Sequence, residues 1–210
     1  YFARADESSD KIFYDQPRFV THIDDGAIGA ITDYYASEMK EGSDVLDLCS
    51  SWISHLPDDL KLGRVAGLGM NEEELKRNGR LTEYVVQDLN EEPKLPYDDE
   101  SFDYICNVVS VDYLNKPREI FQEMFRVLRP GGTAIMSFSN RCFPCVAASR
   151  ALRPWLCPCL GTHRARLFGG SVVAQDEGHC HLGSDGRCWS HLDRGLLLQV
   201  LGRLVERQGL

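Results

Sequence analysis

Five apolar runs of six to eight residues, each separated from the next by helix-forming or polar segments, constrain this chain most: "DVLDLC" (44–49), "GRVAGLG" (63–69), "TEYVVQD" (82–88), "FDYICNVV" (102–109) and "TAIMSFS" (133–139). Their length suits strands, and the near-continuous apolar character of most of them suits strands buried on both faces. Helical spacing fills the gaps. Ile28, Ile31, Tyr35 and Met39 recur on one face of a helix that Asp24 or Asp25 can cap and that runs to Lys40. A charged helix begins near Asn71, and residues 116–128 turn Ile120, Met124, Val127 and Leu128 inward. "RPGG" (129–132) stops that helix, because Pro130 cannot continue it and the glycines permit a tight turn. Strands alternating with helices must pair in parallel through right-handed crossovers. The expected fold class is therefore α/β, a doubly wound and mostly parallel sheet.

In such a sheet, ligands sit beyond the carboxyl ends of the strands near the topological switch point. Four strand ends here carry suitable residues. Asp47 is followed by Cys49, Ser50 and Ser51; "GLGMN" ends the second run, "QDLN" the third and "NVVSVDY" the fourth. Small side chains after the first strand let the backbone approach a ligand, and its N–H groups can meet a carboxylate or phosphate. A turn without spaced glycines does not admit a dinucleotide pyrophosphate, which sets dehydrogenase chemistry aside.

Composition narrows the function and divides the chain. A net charge of −9 over 210 residues argues against a nucleic-acid backbone as partner, and no apolar run reaches the length of a membrane span. Residues 1–143 hold 15 Lys and Arg against 27 Asp and Glu, whereas 144–210 hold 8 against 5. After Pro144 there is no Lys, Ile, Asn, Tyr or Met, and six of the eight cysteines lie from Cys142 onward. Every residue type that vanishes has codons beginning with two A or T bases. The pattern predicts a tail read from GC-rich sequence not selected with the domain before it, such as a retained intron or shifted frame; an appendage from a GC-rich genome is the alternative. The expected division is a domain with an N-terminal leader over 1–143 and a tail over 144–210. That tail is expected to be mostly irregular, with one short strand at "SVVA" and a terminal helix near 190–207 carrying Leu192, Leu196, Val200 and Leu204 on one stripe. Starting at Tyr1 rather than Met, the chain is expected to be a fragment or processed product, incomplete at its N-terminus.

The motifs "VLDLCSS", "VAGLGMN", "VVQDLNEEPKLPYDDESFDYI" and "EIFQEMFRVLRPGGTAIMSFS" together resemble the class I S-adenosylmethionine-dependent methyltransferases, over about residues 14–143. The stretch "FYDQPRFVTHIDDGAI" resembles the leader of an uncharacterised branch of that family associated with photosynthetic organisms. The resemblance implies S-adenosylmethionine as cofactor and an intracellular setting, cytoplasmic or plastid. It places Asp47 and the backbone of Cys49 and Ser51 at the methionine end of the cofactor. Asp88 would accept a hydrogen bond from the adenine amino group, Leu89 would pack on the ring, and Asn107 would line the methyl-transfer side. The acid that usually holds the ribose hydroxyls is Gly69 here, with Asn71 two positions on, which predicts weaker binding at that end. The family's last two strands are missing or divergent, which predicts an open edge on the fifth strand, a chain prone to aggregation and low activity.

The expected function is methyl transfer to a small-molecule acceptor. The alternative is a catalytically impaired chain of the same fold acting at most as a binding module. A base is required only where the acceptor must lose a proton. Tyr14, Arg18 and His22, close together on a leader that would cover the cofactor and close the substrate side, are the candidates, followed by His55 and Asp112. "CFPC" (142–145), "CPC" (157–159), "HCH" (179–181), Cys188 and His191 have zinc-ligand chemistry but no standard finger spacing, so no metal is expected.

Overall fold

The structure, a computed structural model, describes residues 8–139 and four short strand segments within 172–201. Helix α1 (Asp10–Tyr14) precedes α2 (Asp25–Glu38), β1 (Val45–Leu48), β2 (Val65–Gly69), α3 (Glu72–Arg77), β3 (Glu83–Val86) and β4 (Phe102–Val108). A 3-10 turn (Val111–Tyr113), α4 (Pro117–Val127) and β5 (Leu128–Ser139) follow. The later strands are β6 (Val172–Val173), β7 (His181–Leu182), β8 (Cys188–Trp189) and β9 (Leu196–Leu201).

The main sheet runs β3-β2-β1-β4-β5-β9-β6, with the first five strands parallel. Val45 pairs with Val65 on one side and Tyr104 on the other, so the chain reverses its winding at β1 and the switch point lies between β1 and β4. Alternate residues feed two cores, as strand geometry requires. Leu46, Leu48, Leu68, Ile105 and Met136 meet Ile120 and Met124 of α4 on one face. Val45, Val65, Cys106 and Ile135 meet Ile31, Tyr35 and Met39 of the α2 segment on the other.

The helix boundaries follow from local chemistry. Asp24 caps α2 by accepting the Ala27 N–H at 3.0 Å. Asn71 caps α3 by accepting the Glu74 N–H at 3.1 Å. Pro117 opens α4, where its missing N–H costs nothing. Helix α1, capped by Ser9, was not expected from the sequence; at five residues it is too short to show a period. Pro130 and the glycines end α4 as expected, yet they lie inside β5 rather than before it. The register jumps from Phe102 opposite Leu128 to Tyr104 opposite Thr133, and Gly131 takes φ +81° at the bulge.

Strands expected to be missing after β5 are present. β9 pairs antiparallel with β5 from Ala134–Leu201 to Ser139–Leu196, and β6, within the "SVVA" segment, pairs with β9. The terminal helix expected near 190–207 is corrected to a strand over Leu196–Leu201. A continuous "LLLQVL" satisfies the strand and helix patterns alike, and the unpaired edge of β5 decides between them. The open edge expected on β5 is corrected with it. Cys142, Cys145, Cys157, Cys159, Cys180 and His191, weighed as metal ligands, lie outside the described residues. No helix among the described residues is long and apolar enough to cross a membrane.

Candidate active site

A pocket opens at the carboxyl ends of β1, β2, β3 and β4, lined by Cys49, Leu68, Gly69, Asp88, Leu89 and Tyr113 among others. Tyr14 and Asp10 of α1 close it from outside the sheet. Its wall is mostly apolar, with the Asp88 carboxylate as one polar anchor. Asp88 is 8% exposed and accepts the Asn90 N–H at 2.8 Å. Burial raises its pKa; the Asn90 N–H pulls the other way, and the nearby Asp10 raises it further.

The turn after β1 is held by its own side chains. Asp47 Oδ2 accepts both the Ser50 and Ser54 hydroxyls at 2.6 Å. Burial pushes the Asp47 carboxyl up to about 6 against those two hydrogen bonds. Cys49 takes φ 61° where a glycine would be unstrained, and burial, with Asp47 adding to it, pushes its thiol up to about 12. At neutral pH that burial keeps the thiol protonated. Ser51 donates its hydroxyl to Glu74 Oε2 at 2.6 Å.

Gly69 is a close-approach site. A Cβ there would stand 2.2 Å from the Ser50 carbonyl oxygen, so the turn after β1 lies directly over the end of β2. Asn71, the expected stand-in at the ribose, is occupied: besides capping α3, its Nδ2 donates to the Tyr14 carbonyl at 2.9 Å. Asn107 is fully buried; its Nδ2 donates to the Leu48 carbonyl at 2.9 Å while its Oδ1 has no partner among the described residues.

The three leader candidates separate. Tyr14 reaches the pocket, and burial, with Cys49, Tyr113 and Asp10 adding to it, holds its hydroxyl pKa well above the ordinary range. Arg18 stacks its guanidinium 3.9 Å over the Phe13 ring, and its N–H donates to Glu74 Oε1 at 2.7 Å. His22 is exposed and does not line the pocket. His55 also lies off the pocket, at φ 53°, with a buried Nδ1 that has no partner among the described residues; burial lowers its pKa. Asp112 sits in the 3-10 turn, its carboxyl pushed up to about 6 by burial. Sequence reasoning missed Asp10 and Asn90. The one available signal was Asn90 standing two residues after Asp88. Among the described residues no group of His, Cys, Asp or Glu is arranged to hold a metal ion.

Known proteins resemble this chain in sequence and in fold. Residues 49–136 match the methyltransferase-domain family. Over this stretch the chain is similar to methyltransferase domains. The curated demethylmenaquinone methyltransferase of Listeria monocytogenes serotype 4a (strain HCC23) is 29% identical over 103 residues, covering 45% of this chain and 44% of its own. The chain thus spans less than half the length of that relative. The chain also shares its fold with a chain of the complex between the Haloferax volcanii Trm112 methyltransferase activator and a methyltransferase. That match has a TM-score of 0.57 at 20% identity, covering 85% of this chain and 90% of the other.

Proposed function

We propose that the chain transfers a methyl group from S-adenosylmethionine to a small-molecule acceptor. The observation that carries this reading is the pocket itself: an apolar slot at the switch point, walled by Leu68 and Leu89, with Asp88 in its lining, whose carboxylate would accept from an adenine amino group. A second observation fits the group. Among the described residues the buried Asn107 Oδ1 has no partner, and it calls for a hydrogen-bond donor. Asp88, Leu89 and Gly69 would hold the nucleoside, and Asn107 and the Cys49–Ser51 turn would face the other end. The sulfonium supplies the reactivity when bound; the chain supplies position and a dry, shaped site.

A small acceptor agrees with two facts. The curated relative is named for a small molecule, and the acidic chain does not suit a polyphosphate partner. Where the acceptor must lose a proton, Asp112, whose carboxyl burial pushes up to about 6, would be the base, whereas burial holds the Tyr14 hydroxyl protonated and suits it to orient the acceptor.

Asp88→Ala should weaken S-adenosylmethionine binding by about 2 kcal/mol, roughly thirtyfold, the loss of a hydrogen bond to a charged group. Isothermal titration of the parent and the variant measures this, with circular dichroism to show that both are folded. Equal affinities would remove Asp88 from the cofactor site. No binding to the parent chain would sink the methyl-donor reading altogether.

A further inference from the structure

Asn90 takes no part in the chemistry above, yet its side chain joins three segments of the chain. Its Nδ2 donates to Asp10 Oδ2 on α1 at 2.8 Å and to the Tyr113 carbonyl at 2.9 Å; its Oδ1 accepts the Asn115 N–H at 2.8 Å. Its own backbone N–H is the donor to Asp88. The leader, the loop after β3 and the loop after β4 each contribute to the pocket wall, and all three meet at this one side chain. Only a carboxamide of this length can donate twice and accept once here. Aspartate has no donor and leucine has neither function.

Other ties hold the leader at its far end. Asn71 donates to the Tyr14 carbonyl, Glu74 accepts the Arg18 N–H, and Trp52 Nε1 donates to the Val20 carbonyl at 3.1 Å. At the near end, the Lys11–Glu91 ion pair is over half exposed on both sides and contributes little. The buried Asp10–Asn90 contact ties α1 to the pocket wall at that end. With Asp10 and Tyr14 in the wall, the leader covers the side where Asp88 lies, which assigns it to the cofactor rather than to the acceptor side alone.

We propose that Asn90 is a positioning residue. It locks residues 8–20 as a strap over the S-adenosylmethionine pocket and couples strap closure to the loop after β4, on the side where an acceptor would enter. The proposal rests on the methyl-donor reading for its ligand, but the lock itself is a property of the unliganded chain. Opening the strap then governs cofactor release, and the loop carrying Asp112 and Tyr113 tightens as the strap closes.

Hydrogen exchange on the full chain without cofactor tests the lock. Asn90→Ala should speed amide exchange in both 10–14 and 111–115 by roughly tenfold, the loss of one or two buried hydrogen bonds. Asp10→Ala should speed 10–14 alone. Asn90→Asp sets like charges against each other and should loosen both segments. Adding Asp10→Asn to it reverses donor and acceptor and should restore 10–14, while 111–115 stays fast because the Tyr113 carbonyl still lacks its donor. The same pattern should appear in the dissociation rate of S-adenosylmethionine, faster in Asn90→Ala and partly recovered in the double variant. Parent-like exchange of 10–14 in Asn90→Ala, or no recovery in the double variant, overturns the proposal. If the parent binds no S-adenosylmethionine, the donor reading falls and the exchange arms alone decide the lock.

Discussion

Replacing Gly69 by Asp should cost the fold about 3 kcal/mol or more, from overpacking plus a buried carboxylate, and should give no gain in S-adenosylmethionine affinity. The substitution restores the acid that the family resemblance leads one to expect at the end of β2. The Cβ it adds would lie 2.2 Å from the Ser50 carbonyl oxygen, which is backbone. Ser50 has little room to yield, since its N–H donates to the Leu68 carbonyl at 2.7 Å and its hydroxyl to Asp47 at 2.6 Å. Gly69→Ala isolates the steric part and should cost about 1–3 kcal/mol. Urea midpoints with titration of the cofactor measure both. An unchanged midpoint with tighter binding would mean that the turn after β1 gives way freely. The turn without glycines and the strand end without an acid are thus one feature: the turn lies where the acid would have to stand.

The second large effect is on pH dependence. In the fold the Asp47 carboxyl titrates near 6, against 3.8 ordinarily, because burial penalises its ionised form more than the Ser50 and Ser54 hydroxyls recover. The folded state therefore holds this proton more tightly than the unfolded chain. The stability it contributes is fully present below about pH 4, falls as pH rises to about 6, and is lost above that, a swing of about 3 kcal/mol. Asp47→Asn keeps an oxygen acceptor for the serines and removes the titration. Carboxylates such as Glu123, held low by the hydrogen bond from Arg126, act in the opposite sense, so the informative quantity is the parent curve minus the variant curve. Denaturant unfolding from pH 4 to 7 should show that difference declining through the window. A flat difference would mean that Asp47 is ionised in the fold as readily as outside it.

The sheet was legible because burial on both faces leaves a plain mark: β1 and β2 are buried at every position and carry no alternation to confuse them with a surface strand. The α2 segment was legible from a cap followed by Ile31, Tyr35 and Met39. Leu196–Leu201 was not, because six residues with one polar position fit either period and its partner, β5, is distant in sequence. Within the site, Asp88 and Leu89 line the pocket as their order after β3 suggested. Asn71 shows where such reasoning stops. The same amide that can hold a diol can cap a helix, and only the position of Glu74 N and Tyr14 O shows which it does. Asn90 was illegible for a related reason, since its three partners are brought together by tertiary structure alone.

The pairing of β5 with β9 has a consequence for the order of events during synthesis. Ser139 and Leu201 are separated by roughly 60 residues of chain, which take roughly 3–12 s to make at ~5–20 residues per second. Throughout that interval the five parallel strands and their two cores can already assemble, while one flank of β5 offers its backbone donors and acceptors to any neighbouring nascent chain. The flank closes only when the last strand arrives. Yield from the cell should accordingly depend on how fast the stretch after Ser139 is translated, with slow codons there lowering the recovery of protein whose finished fold they do not alter.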